Sequence, residues 1–131
     1  MGLETALVFS DTGETLFWHV PLERSEYSLP DSRTLWEVLW ENRALLGGVA
    51  HTHPWEGPAW PSQTDVTTWR ALEKGLGKLL LWPIVTFSDV KYFGWNPITE
   101  QYCEMNLEKS TIILDVEKLR ELSRSSDSPV E

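Results

Sequence analysis

The segment 54–61 constrains the fold of this chain most strongly, because it places three prolines and one glycine within eight residues. Proline lacks the backbone N–H that helices and strand ladders need, and glycine weakens both kinds of element. The segment must therefore be a loop. Residues 49–53 before it are predicted to form a short buried strand. The helical period of residues 62–75 after it predicts a helix.

The pattern on either side of this loop predicts a mixed sheet with helices. Residues 3–9 and 15–20 are β-prone around a turn at 11–14, which indicates a hairpin. A helix that begins at Asp31 or Ser32 is expected to run to about Leu46, with the glycines that follow ending it. The later expected elements are strands at 79–87, at 90–95 and at 102–107 or 112–114, and a weak helix at 117–124.

This order of elements predicts an α/β or α+β domain in which helices pack on one mixed sheet. The length of 131 residues suits one domain. We expect that domain to cover residues 1–116, with a short helix and a frayed tail making up residues 117–131.

The charge of the chain bears on its partners. Twenty acidic and eleven basic residues give a net charge of −9, and residues 1–65 hold ten of the acids but three of the bases. Nucleic-acid binding requires clustered Lys and Arg, so we expect no nucleic-acid partner. A basic partner or a divalent cation suits the acidic half better.

Cysteine content and hydropathy bear on the compartment. The single cysteine, Cys103, excludes an internal disulfide and a cysteine-rich zinc site, and we expect it to be an inert buried thiol. The longest strictly apolar run, 79–85, is far shorter than the ~20 residues needed to cross a bilayer. No basic-then-apolar leader opens the chain. We therefore expect a cytoplasmic protein with no membrane partner.

Two histidines on the predicted strand before the proline-rich loop point to a metal. His51 and His53 are two residues apart, so a strand places both imidazoles on one face. Asp65 lies in the first turn of the next helix, which the loop could fold back over the strand end. Two nitrogens and one carboxylate oxygen form the ligand set of an open, catalytic zinc site.

Ordinary explanations for the same residues remain open at this point. A His-x-His pair can arise by coincidence. Ser62 and Asp65, three residues apart, also match a helix capping box, in which each side chain bonds the backbone N–H of the other residue. Capping and metal binding do not exclude each other.

The whole pattern resembles the signature of the JAMM metallopeptidases, also called MPN-plus domains. The matching residues are His51-Thr52-His53-Pro54, a loop of seven residues, and Ser62-Gln63-Thr64-Asp65. The loop is one residue longer than the commonest spacing in that family. The resemblance extends to the order of hairpin, helix, strand and helix, and covers roughly residues 3–96. It implies a cytidine-deaminase-like α/β/α sandwich.

The resemblance also implies a role for each site residue. His51, His53 and Asp65 would bind Zn²⁺, which lowers the pKa of water towards ~7. Glu4, 47 residues before His51, matches the family glutamate that accepts the proton of that water and delivers it to the leaving amine. Ser62 would donate a hydrogen bond to the oxyanion. Glu14 in a predicted turn and Glu23 in a predicted loop are the other candidates for the glutamate.

The implied activity is hydrolysis of a peptide or isopeptide bond after the C-terminal Gly-Gly of a ubiquitin-like or sulfur-carrier protein. Alternatives are a peptidase acting on a small amino-acid conjugate, phage-tail processing, or a non-catalytic interaction scaffold with the same fold. Four aromatic residues and one histidine have weaker assignments. His19 is expected to be structural or exposed, Trp55 and Trp60 to be core plugs or an apolar wall for a substrate tail, and Trp36 and Trp40 to belong to the core or to an interface stripe.

Overall fold

A six-stranded mixed sheet flanked by three helices accounts for the regular structure of residues 2–107 and 112–124, the parts of the chain that the computed structural model describes. The strands are β1 (Ala6–Ser10), β2 (Thr15–His19), β3 (Leu46–Thr52), β4 (Trp82–Val85), β5 (Val90–Asn96) and β6 (Gln101–Glu104). The helices are α1 (Arg33–Glu41), α2 (Gln63–Leu76) and α3 (Val116–Arg124). The prediction of a mixed α/β architecture is confirmed.

The strand order is β2-β1-β3-β4-β5-β6, and β3 and β4 form the parallel pair. Parallel strands need a crossover, and helix α2 supplies it here after the proline-rich loop. The remaining neighbours run antiparallel. The loop therefore begins at the end of β3 and leads to the start of α2, which lies next to that same strand end.

Helices lie on both faces of the sheet. On β1, Ala6 and Val8 belong to the apolar cluster that includes α1 and α2, whereas Leu7 and Phe9 belong to the cluster that includes Leu119 of α3. This division follows from the alternation of side chains along a strand. On the face of the sheet that α1 and α2 cover, β1 therefore presents even-numbered residues such as Ala6, and β3 presents odd-numbered residues such as Val49.

The first helix is shorter than predicted. It ends at Glu41, and Gly47 and Gly48 lie inside β3, so the prediction that they terminate the helix is wrong. Their role is close backbone approach: a Cβ at Gly48 would lie 1.9 Å from the carbonyl oxygen of Leu81, and one at Gly47 would lie 2.4 Å from that of Ser10. Absence of a side chain here serves sheet packing and not helix capping.

Strand β4 is also shorter than predicted, beginning at Trp82 instead of residue 79. The buried carboxylate of Glu73 on α2 accepts hydrogen bonds from the backbone N–H of Leu80 at 2.8 Å and from the indole N–H of Trp82 at 3.0 Å. It also accepts one from the hydroxyl of Tyr102 on β6. Glu73 therefore takes the N–H of Leu80 out of the ladder and ties α2 to the sheet.

Two remaining boundaries were left open by the sequence. Strand β6 at Gln101–Glu104 overlaps the first of the two predicted positions, and residues 112–115 contain no strand. The predicted tail at 125–131 lies outside the described residues.

Cys103 is half-buried, not fully buried. Among the described residues, no helix is long and apolar enough to cross a membrane.

Helix α3 packs on the sheet and joins the two ends of the described chain. The backbone N–H of Leu3 donates to the carbonyl of Ser123 at 2.6 Å, and the Ser123 hydroxyl donates back to the Leu3 carbonyl at 2.6 Å. The oxygen of the same hydroxyl lies 2.9 Å from that of the Thr52 hydroxyl. These bonds hold the segment before β1 beside the end of β3.

Candidate metal centre

The register of β1 and β3 brings Glu4 beside the two histidines. Ala6 pairs with His51, and the N–H of Thr52 donates to the carbonyl of Thr5 at 2.9 Å beyond the regular strand. The same antiparallel register puts Glu4 opposite His53. Because side chains alternate along a strand, Glu4, His51 and His53 share one face of the sheet. All three line one cleft of about 600 Å³.

The start of α2 brings the carboxylate. The hydroxyl of Ser62 accepts from the N–H of Asp65 at 3.1 Å, and Oδ2 of Asp65 accepts from the N–H of Ser62 at 2.9 Å. The predicted capping box is thus confirmed. It fixes the orientation of the Asp65 carboxylate at the edge of the cleft, so a local helix-capping motif also aims a candidate ligand.

His51, His53 and Asp65 form a compact cluster. Nε2 of His51 lies 3.1 Å from Oδ1 of Asp65, and Nε2 of His53 lies 3.0 Å from Oδ2. The two Nε2 atoms are 3.2 Å apart. This group could hold a metal ion.

The donor set and its spacing fit a tetrahedral zinc ion. Zn–N and Zn–O bonds of roughly 2.0–2.2 Å place neighbouring ligand atoms about 3.3 Å apart in a tetrahedron. The three atom pairs above, at 3.0 to 3.2 Å, need only small adjustments to reach that spacing. All three candidate ligands line the cleft.

The electrostatics of the cluster keep Asp65 ionised. Burial acts to raise its pKa, but hydrogen bonds to His51 and His53, attraction to His51 and the bond from the Ser62 N–H together hold that pKa well below its usual range. Asp65 is therefore a carboxylate throughout the physiological range, which is the form that binds a metal.

Glu4 has the opposite behaviour. Its side chain is 7% exposed, and burial raises its pKa from 4.5 to about 7; attraction to His53 opposes this shift and repulsion from Asp65 adds to it. Its backbone is held on both sides, since its N–H donates to the Ser25 carbonyl at 2.8 Å and its carbonyl accepts from Arg24 at 3.2 Å. The backbone of Glu4 is thus fixed beside the candidate ligands, and burial shifts the pKa of its carboxyl towards neutrality.

The other glutamates considered from the sequence are elsewhere. Glu14 is exposed in the turn between β1 and β2, and Glu23 is exposed in the segment after β2. Neither lines the cleft. Ser62 does line it, and a hydroxyl whose oxygen accepts one bond retains a hydrogen to donate.

The segment 21–30, which the sequence marked as a mere connection, forms part of the cleft. Its Tyr27 ring lies 5.7 Å from that of Trp55 in the proline-rich loop, and Trp55 stacks on His53 at 4.9 Å. Trp60, in the same loop, is half-exposed and also lines the cleft. Both tryptophans are therefore wall residues and not core plugs. Nothing in the polar sequence of 21–30 signals this position.

Arg24, in that segment, is a second residue whose role the sequence did not reveal. It is buried, and it donates to the carbonyls of Glu4 and Leu122, at 3.2 Å each, and to the hydroxyl of Thr5. Burial lowers its pKa. One side chain thereby links the segment after β2, the segment before β1 that carries Glu4, and α3.

His19 and the tryptophan pair of α1 lie outside the cluster of candidate ligands. His19 is buried and lines the cleft, and its Nε2 lies 2.7 Å from the carbonyl oxygen of Pro30. Trp36 and Trp40 stack on each other at 6.2 Å and are each more than two-fifths exposed, so they form a surface stripe and not part of the core.

Comparison with models of protein families gives no match, and comparison with curated proteins gives none either. Function is therefore inferred from the chemistry of the cleft and from the motif.

Proposed function

We propose that this chain is a zinc-dependent peptidase or isopeptidase of the JAMM type. Its substrate would be an amide bond after the C-terminal Gly-Gly of a ubiquitin-like or sulfur-carrier protein. The observation that carries the proposal is the position of Glu4: a residue 47 places before His51 lines the same cleft as His51, His53 and Asp65. Helices on both faces of the sheet are also what the JAMM α/β/α sandwich requires.

His51, His53 and Asp65 would hold the zinc ion. When bound, zinc polarises a substrate carbonyl and lowers the pKa of water, which supplies a nucleophile at neutral pH. Asp65 enters this role already ionised and already oriented by the capping box. Little rearrangement is then needed for binding, which favours affinity.

Glu4 would accept the proton of the attacking water and return it to the leaving amine. In the metal-free chain burial raises the pKa of Glu4 to about 7, which is the direction that a group exchanging protons near neutral pH needs. Hydrogen bonds of its backbone N–H and carbonyl hold the Cα of Glu4 beside the candidate ligands. Ser62, at the mouth of the same cleft, would donate its hydroxyl hydrogen to the developing oxyanion.

Glu4→Gln tests the proposal, because glutamine keeps the shape of the side chain and removes the proton acceptor. We expect zinc content to be unchanged and hydrolysis of a ubiquitin-like fusion to fall by about 100-fold or more. Zinc is measured by elemental analysis and hydrolysis by mass spectrometry. Glu23→Gln is the matched control, since Glu23 is exposed outside the cleft.

Two results would contradict the proposal in different ways. Unchanged turnover in Glu4→Gln would remove Glu4 from the mechanism. A wild-type protein that takes up no zinc even after reconstitution, and hydrolyses nothing, would instead support the interaction scaffold.

A further inference from the structure

We propose that Asp89, in the connection between β4 and β5 (residues 86–89), is a positioning residue for the candidate metal centre. Its carboxylate holds the proline-rich loop and thereby fixes where Asp65 stands relative to His51 and His53. This inference rests on the proposed zinc-dependent function, and it assigns a role to a side chain that does not line the cleft.

The proline-rich loop has little means of holding its own shape. It runs from the end of β3 to the start of α2, and its three prolines have no backbone N–H to donate. The N–H of Trp55 donates to the carbonyl of His53 at 2.8 Å, and that of Trp60 donates to the carbonyl of Pro58 at 3.2 Å. Each of these bonds spans only two residues, so partners from elsewhere must hold the loop as a whole.

The β4–β5 connection supplies those partners. The carbonyl of Trp55 accepts a hydrogen bond from the N–H of Phe87 at 3.0 Å. Gly57 donates its N–H to the hydroxyl of Ser88 at 2.8 Å, and its carbonyl accepts from the hydroxyl of Thr86 at 2.6 Å. Bonds between the two segments thus continue beyond the parallel pair of β3 and β4.

Asp89 holds the loop at the point closest in sequence to α2. Its Oδ2 accepts a hydrogen bond from the N–H of Ala59 at 2.9 Å. Ala59 is fully buried, so this N–H needs a partner within the protein. Ser62, which caps α2 and orients Asp65, follows three residues later, and the proline between them restricts the backbone. The position of Ala59 is therefore passed on to the start of α2.

Neighbouring residues hold Asp89 itself in place. Its Oδ1 accepts from the N–H of Val90 at 2.9 Å, and its Oδ2 pairs with Nζ of Lys91. The hydrogen bond from Lys91, followed by that from the N–H of Ala59, lowers the pKa of Asp89. Nζ of Lys91 also lies 4.9 Å from the centre of the Trp60 ring. The acid–base pair therefore contacts two successive loop residues, one through its backbone and one through its ring.

The spacing of the candidate ligands explains why this hold matters. The two carboxylate oxygens of Asp65 lie 3.1 Å from Nε2 of His51 and 3.0 Å from Nε2 of His53, close to the spacing of ligands around zinc. Ligands that are held in advance bind an ion more tightly, because less order has to be imposed when it enters. Release of the loop at Ala59 should therefore weaken zinc binding, as loss of an outer partner of a metal site commonly does.

Two substitutions at Asp89 separate its hydrogen bond from its charge. Asp89→Ala removes the acceptor of the Ala59 N–H, whereas Asp89→Asn loses the same charge but keeps an oxygen for that bond. Zinc affinity of the intact chain is measured by competition with a chelator. We expect Asp89→Ala to bind zinc about tenfold more weakly than the wild type, and Asp89→Asn to bind it within about threefold.

NMR of the metal-free protein reports the same hold without zinc. The ring signals of His51 and His53 should shift in Asp89→Ala, because Asp65 moves relative to both imidazoles. They should stay close to their wild-type positions in Asp89→Asn.

Ser32→Ala is the control for a general loss of stability. The Ser32 hydroxyl caps α1 by accepting from the N–H of Leu35 at 3.0 Å, and α1 carries no candidate ligand. Its zinc affinity should equal that of the wild type. Wild-type affinity in Asp89→Ala, equal losses in Asp89→Ala and Asp89→Asn, or an equal loss in Ser32→Ala would each overturn the inference.

Failure of this inference can be separated from failure of the proposed function. If the wild-type protein takes up no zinc, the proposed metal centre is refuted and the ring signals decide alone. A shift confined to Asp89→Ala then supports the positioning of Asp65, and unchanged signals refute it. Weaker zinc binding in Asp89→Ala, together with a zinc-loaded wild type that cleaves no ubiquitin-like fusion, supports the role of Asp89 and refutes the peptidase.

Discussion

Replacing Glu4 by glutamine should stabilise the metal-free protein at alkaline pH. Burial raises the pKa of Glu4 from 4.5 to about 7, so the native state binds this proton more tightly than the unfolded chain. The resulting stabilisation is fully present below the unfolded pKa and is lost as the pH rises through the folded one. Glutamine has no proton to lose and should lack this dependence.

The size of the effect follows from the two pKa values. A tenfold change in proton affinity corresponds to about 1.4 kcal/mol, so a rise from 4.5 to about 7 corresponds to at most about 3.4 kcal/mol. Glu4 faces an open cleft, and solvent there screens its charge. We therefore expect Glu4→Gln to gain about 2 kcal/mol over the wild type on going from about pH 5 to about pH 8.5.

Urea denaturation in the presence of a chelator measures this difference at both pH values. His51, His53 and Asp65 are present in both proteins, so the difference between the two reports the Glu4 carboxyl together with its coupling to these neighbours. Glu23→Gln, which also removes one negative charge, should show no comparable change with pH. If the gap between Glu4→Gln and the wild type were the same at both pH values, the burial of Glu4 would not control its charge, and the reasoning from its surroundings would be refuted.

Three further substitutions have defined outcomes. His51→Ala should abolish tight zinc binding, since two ligands cannot hold a catalytic zinc well, and metal analysis after mild chelator dialysis checks this. Ser62→Ala should lower the free energy of unfolding by about 1 kcal/mol through loss of the helix cap, which denaturation measures. It should also lower turnover by about 100-fold through loss of the oxyanion donor, which hydrolysis rates measure. Arg24→Ala should lower the free energy of unfolding by about 2–3 kcal/mol, because it leaves buried acceptors unpaired. It should also lower kcat at unchanged zinc content, because the backbone of Glu4 loses its bond to Arg24.

Each of these expectations can fail visibly. Wild-type zinc content in His51→Ala would dismiss the ligand assignment. Ser62→Ala with reduced stability but normal turnover would leave Ser62 with capping alone. Arg24→Ala with reduced stability but full kcat would show that Glu4 holds its position without that side chain.

Local signals predicted the elements that carry the site. Prolines fixed the loop between β3 and α2, and the spacing of Ser62 and Asp65 predicted the capping box that the structure contains. Those features depend on neighbours in sequence. The strand period also put His51 and His53 on one face, as observed.

Features that depend on distant parts of the chain were not predictable in the same way. The role of Gly47 and Gly48 follows from carbonyls of β1 and of the segment before β4, which no local pattern shows. The position of Glu4 follows from the β1–β3 register, and the sequence suggested it only through a resemblance. Segment 21–30 also contains a buried Arg24, an unusual place for a residue of that type, whose partners Glu4, Thr5 and Leu122 lie far away in sequence.

The bonds of Ser123 have a consequence for how the protein is made. Leu3 and Ser123 are 120 residues apart in sequence, yet they share two hydrogen bonds, and Ser123 also reaches Thr52. During synthesis the chain emerges from its N-terminus, so this closure waits until α3 has left the ribosome. The segment before β1, which carries Glu4 next to Leu3, therefore gains its hydrogen bonds to α3 only after the residues that supply His51, His53 and Asp65 have been made.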